Sequence, residues 1–128
     1  MVTAATGKED SNSLWTVREA ENGTKPCKTG QSFRCGDKIR LEHVPTGKNL
    51  HSSGSQKAPL SQRQEVSGFG DDGLGDSGDD WELLCNDKTE YGDVRTLGMP
   101  IRGKDSFYLK HVDTGCILVS ESNFRYNN

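Results

Sequence analysis

The sequence predicts an all-β protein, folded but poor in core residues, and three observations carry that reading. The stretch Ile39-Arg40-Leu41-Glu42-His43-Val44-Pro45-Thr46-Gly47-Lys48-Asn49-Leu50-His51-Ser52 returns, 68 residues later, as Phe107-Tyr108-Leu109-Lys110-His111-Val112-Asp113-Thr114-Gly115-Cys116-Ile117-Leu118-Val119-Ser120. Trp15 and Trp81, 66 residues apart, each follow a polar, turn-forming run and lead into a strand-like pattern. No window sustains a 3.6-residue apolar spacing long enough for an ordinary helix. Repeated units of about four strands point to a closed, pseudo-symmetric β architecture, because one hairpin pair buries too little surface to be stable alone.

In the first copy Ile39, Leu41 and His43 alternate with Arg40, Glu42 and Val44, the period-two pattern of a half-buried strand, and Phe107, Leu109 and His111 repeat it. Pro45 suits the second position of a type I turn, and Gly47 supplies the left-handed residue that returns the chain. The second copy replaces the proline and keeps the glycine, Gly115. Leu41, His43, Gly47, Trp15, Trp81, Leu109, His111 and Gly115 are therefore assigned structural roles. Both tryptophans are expected in the core, and both histidines are expected to bond the backbone and lock their hairpins.

Along the chain, Val2 to Ala5 reads as an edge strand and Leu14 to Glu19 as a strand ended by the Asn22-Gly23 turn signal. Asn22-Gly23-Thr24 is also an N-glycosylation sequon, relevant if the chain enters the secretory pathway. Cys27 to Gly36 forms a loop. Ser53 to Ser61 reads as a loop, Gln64 to Phe69 as a strand, and Gly70 to Asp80 as an acidic, glycine-rich loop before the Trp81 strand. Asn86 to Lys104 is a connector.

Leu, Ile, Val and Phe supply 24 of 128 residues, a composition at the border of disorder, but a net charge of −3 is too small to drive it. The slight acidity and the absence of any run of basic residues argue against nucleic acid as a partner. No apolar segment approaches the ~20 residues that cross a bilayer. No charged-then-apolar leader follows Met1, so a chain without a signal peptide is expected.

Candidate chemistry is sparse. The aspartates between Asp71 and Asp80 match neither an EF-hand loop nor a nonapeptide calcium array, and they read as a solvated turn. Cys27 and Cys35 are too far apart in sequence for a usual zinc pair, and no His-x-x-x-His occurs, so no metal or cofactor is expected. A disulfide fits better, as Cys27 with Cys35 or as Cys35 with Cys85. No nucleophile elbow or phosphate loop is present, so no catalytic residue is assigned and the protein reads as a non-enzyme. His51 follows the inward-phasing Leu50 and is expected to point outward. With Ser52, Asp79 and Asp80 it forms the expected ligand or partner surface.

The pattern Leu-x-His-x-x-Thr-Gly-x-x-Leu-His-Ser, followed by Gln64-Glu65-Val66-Ser67-Gly68-Phe69-Gly70 and by Gly78-Asp79-Asp80-Trp81, resembles the MIR domain. It is most similar to the stromal cell-derived factor 2-like family. That resemblance implies a β-trefoil of three four-strand repeats, residence in the endoplasmic reticulum lumen, and a role in protein folding beside a DnaJ-type co-chaperone. On this matching residues 1–19 are the tail of the first repeat, 35–85 the second and 103–128 the head of the third, an incomplete trefoil with about two of three repeats. The luminal portion of a protein O-mannosyltransferase, with O-mannosylated rather than unfolded clients, resembles the same pattern. A carbohydrate-binding trefoil is a third reading, but the Gln-x-Trp signature of ricin-type lectins is missing at both tryptophans. The family often carries Leu-His-Ser-His, where this chain has Leu50-His51-Ser52-Ser53 and Leu118-Val119-Ser120-Glu121. Its signal peptide and luminal retention tail have no counterpart in these residues.

Overall fold

Among the described residues, six strands form where the alternating pattern meets a polar turn: β1 (Trp15–Glu19), β2 (Lys38–His43), β3 (Asn49–Lys57), β4 (Gln64–Phe69), β5 (Trp81–Cys85) and β6 (Phe107–His111). The computed structural model describes residues 1–5, 7, 9–21, 23, 26–85, 96–121 and 123. The strands make one antiparallel sheet in the order β4-β3-β2-β5-β6, with β1 also paired to β2, and among the described residues this sheet does not close on itself. Helix is confined, among the described residues, to two single 3₁₀ turns, Ser11–Ser13 and Ser77–Asp79.

The two copies share one locking geometry. Gly47 N and Gly115 N each donate 2.8 Å to the carbonyl of His43 or His111, with φ of 66° and 72° at the glycines. Positive φ at these turns is the region where glycine carries no Cβ penalty. His43 Nε2 donates to Asn12 O at 2.9 Å and His111 Nε2 to Gly78 O at 3.0 Å. Nδ1 of each ring bonds the hydroxyl of Thr46 or Thr114, at 2.9 and 2.8 Å. Each imidazole rests on its tryptophan, with ring centroids 4.8 Å apart for Trp15 and His43 and 5.0 Å for Trp81 and His111. Upstream, Asp10 and Asp76 cap the two 3₁₀ turns by accepting from Asn12 N and Gly78 N. One polar turn, one tryptophan and one histidine thus pin each hairpin to the loop before it.

The copies differ in depth. Trp81 is 1% exposed and donates Nε1–H to Leu50 O at 2.8 Å, whereas Trp15 is only half-buried, so the expectation of two core tryptophans holds for one of them. Leu41 and Leu109 sit in matched places, opposite Val17 and Leu83, and both are half-buried. The apolar core is small, made of Ala20, Cys35, Ile39, Leu50, Trp81 and Leu83.

Three local expectations are corrected. Val2 to Ala5 is not a strand; Val2 N bonds Val66 O at 2.9 Å and the pairing stops there. β3 runs on to Lys57, across most of the segment expected as a loop, because a register shift between Ser52 and Lys57 lets it keep pairing with β4. The second arm of the Phe107 hairpin is reduced to a bridge between Lys110 and Ile117, made by the bonds from His111 N to Cys116 O and from Leu118 N to Leu109 O. The sequon residue Asn22 and the first part of the connector, 86–95, lie outside the described residues.

Candidate functional site

Asp79 of the acidic loop meets the first residues of β3. Asn49, the first residue of β3, is fully buried and donates from Nδ2 to Leu74 O and to Asp79 Oδ2, both at 3.1 Å. Asp79 is also fully buried: its Oδ2 accepts a second bond from Asp76 N at 3.0 Å, and its Oδ1 accepts from His51 Nδ1 at 2.9 Å. Asp76 Oδ1, on the rim of the loop, lies 3.5 Å from the same imidazole nitrogen. The His51 ring packs on Phe69 with centroids 4.5 Å apart. The loop can approach this closely because it is glycine-rich. A Cβ on Gly75 would lie 1.8 Å from Asp79 Oδ2, and one on Gly78 would lie 2.4 Å from His51 Cε1.

The outward-facing surface expected from His51, Ser52, Asp79 and Asp80 does not form. Ser52, Asp79 and Asp80 are buried, and the His51 side chain is 12% exposed. The reason is the loop after β4, which folds back over β3 and supplies carboxylates to what pattern reading took for the solvent side. Ser52 Oγ donates to Glu65 O at 2.7 Å and accepts from Gln64 Nε2 at 2.7 Å. Gln64 Nε2 in turn reaches Thr114 Oγ1 at 3.0 Å, joining the two hairpins. Asp80 Oδ1 accepts from Glu21 N at 2.7 Å and ties the chain after β1 to the start of β5.

Sequence reasoning passed over Asn49, Gln64 and Asp76. Asp76 carried a usable signal, since Asp-x-x-Asp before a strand is a capping-box spacing, and both halves of that box are present. Asn49 offered one only by comparison of the copies: its counterpart is the apolar Ile117. The cysteines join as Cys35 with Cys85, while Cys27, half-buried, and Cys116, exposed, are free thiols.

Burial removes water from the Asp79 carboxylate and raises its pKa above the ordinary aspartate value, against the lowering effect of the bonds from Asp76, His51 and Asn49. A carboxyl whose folded pKa is raised holds its proton more tightly in the folded state. Its burial cost is therefore absent at low pH and is felt as pH rises through the window from the ordinary value to the raised one. The stability of the wild type relative to Asp79→Asn is expected to fall across that window, read from urea denaturation at a series of pH values. The glycine contacts give a second expectation. Gly75→Ala should cost about 1–3 kcal/mol by overpacking, whereas Gly103→Ala, whose Cβ meets nothing within 4 Å, should change thermal stability by no more than about 0.5 kcal/mol.

A β sheet built from duplicated hairpins, each locked by a tryptophan, a histidine and a capped turn, defines a trefoil-type repeat module. The chain belongs to the MIR domain family, whose profile matches residues 1–125. It is similar to stromal cell-derived factor 2 of Bos taurus, with 52% identity over 85 residues, 66% of this chain and 39% of that protein. Its fold is similar to that of the SDF2-like protein from Arabidopsis thaliana, with a TM-score of 0.73 and 35% identity, over 90% of this chain and 57% of that one. It is also similar to part of the S. cerevisiae protein O-mannosyltransferase Pmt1–Pmt2 complex bound to the sugar donor, with a TM-score of 0.68 and 30% identity, over 90% of this chain and 16% of that one. The chain spans 39% of the length of the mammalian stromal cell-derived factor 2 proteins it matches. No helix among the described residues is long and apolar enough to cross a membrane.

Proposed function

We propose that this chain is a non-enzymatic binding module of the endoplasmic reticulum lumen, acting in protein folding and quality control beside a DnaJ-type co-chaperone. The observation that carries this reading is how the polar side chains are used. His43, His111, Asp79, Asn49 and Gln64 are committed to one another and to the backbone, which holds loops in place rather than presenting a nucleophile and its base. Kinship with stromal cell-derived factor 2 supports the same reading. Co-purification of the natural protein with a luminal J-domain protein at gentle salt is expected; its failure would count against the proposal.

The similarity to the Pmt1–Pmt2 complex favours a second reading. Here the chain is the luminal MIR portion of a protein O-mannosyltransferase, its clients are O-mannosylated, and the transferase chemistry lies elsewhere. Flanking coding sequence with several apolar spans of ~20 residues would decide for it.

A further inference from the structure

His51, Asp76 and Asp79 place an imidazole nitrogen and two carboxylate oxygens within 4.8 Å of one another. The shared atom is His51 Nδ1, 2.9 Å from Asp79 Oδ1 and 3.5 Å from Asp76 Oδ1. Ligands bound to one zinc-class ion at ~2.0–2.2 Å lie roughly 3–3.5 Å apart, so two of the three edges already fit. Asp76, whose side chain is 54% exposed on a turn, is the ligand with room to adjust, and it leaves a solvent-facing entry. The supporting shell is in place. Asn49 Nδ2 and Asp76 N hold Asp79 Oδ2 and leave Oδ1 toward the imidazole, while Phe69 fixes the ring plane.

Comparison of the two copies shows that the repeat forms without counterparts of His51 and Asp79. The positions matching Asn49 and His51 in the second hairpin are Ile117 and Val119, and the position matching Asp79 in the first capped turn is Ser13. That first turn forms with Asp10 as its cap and no buried acid. Burying a carboxylate costs desolvation free energy, and here an equivalent turn folds without it. His51 and Asp79 are therefore additions to the repeat, set beside Asp76, the cap that the first turn keeps as Asp10.

We propose that His51, Asp76 and Asp79 form a binding site for a zinc-class divalent cation, held through His51 Nδ1 and one oxygen of each carboxylate. On binding, the proton that Nδ1 now donates to Asp79 leaves to solvent and the lone pair goes to the ion. An imidazole ligand selects zinc and its neighbours over calcium and magnesium, which take oxygen. The bound ion clamps the Gly70 to Asp80 loop onto β3.

The test titrates the full, oxidised chain with zinc chloride by calorimetry and with cobalt chloride by visible absorption. One equivalent is expected to bind. Asp76→Asn and His51→Gln should each weaken zinc about tenfold to a hundredfold or more, while the double variant Cys27→Ser/Cys116→Ser should keep full affinity. Asparagine caps a turn as well as aspartate does, so Asp76→Asn should melt like the wild type in chelator. Absence of binding at millimolar zinc would overturn the proposal. So would binding that survives both Asp76→Asn and His51→Gln, or that is lost with the two free thiols.

Discussion

Trp81→Ala is expected to lower stability by about 3–5 kcal/mol, the range for truncating a fully buried aromatic side chain. The indole is 1% exposed and lies against His111, so its removal leaves a cavity beside the second hairpin's lock. It also removes the donor to Leu50 O and leaves a buried carbonyl without its 2.8 Å bond. Trp15→Ala removes the same residue type from the matching place in the other copy, where the ring is half-buried. Its cost should be roughly half as large or less, since the transfer term scales with the area taken from water. Urea unfolding of the two variants beside the wild type checks both the size and the ratio. Equal losses would show that the copies are packed alike, against the difference in burial.

Reduction of Cys35–Cys85 is expected to cost about 4 kcal/mol on the chain-entropy account of a closed loop of this length. The bridge spans 50 residues, from the loop before β2 to the end of β5, and encloses β2, β3, β4 and the whole acidic loop. A domain of this size is stable by roughly 5–15 kcal/mol, so the bond carries a large share of the total. The core it supplements is small. Melting with and without reductant should differ by roughly 10–20 °C, and Cys85→Ser should reproduce the reduced value. Cys27→Ser should leave the melting temperature almost unchanged, because that thiol is outside the bridge.

The strand-turn-strand copies, the positive-φ glycines after Thr46 and Thr114, and the all-β class were legible because each depends on residues near one another in the chain. Period-two alternation and turn chemistry are local properties, and the sheet preserved them in β2, β4 and β6. The orientation of His51 was not legible. Strand phase placed it on the face opposite Leu50, and phase alone does not say whether a later loop will cover that face. The loop from Gly70 to Asp80 does so, and it turns a predicted exposed surface into a buried cluster of Asn49, His51 and Asp79.

The amino-acid order by itself determined that the chain repeats a hairpin, that glycine must close each turn, and that a tryptophan after a polar turn precedes each copy. Tertiary structure alone decided that Cys35 takes Cys85 instead of Cys27, that Trp81 and not Trp15 is sealed from water, and that Asp76 and Asp79 come to share one imidazole. The physical reason is separation along the chain: turn preferences act within a few residues, whereas burial and side-chain pairing depend on which distant segments the sheet brings together.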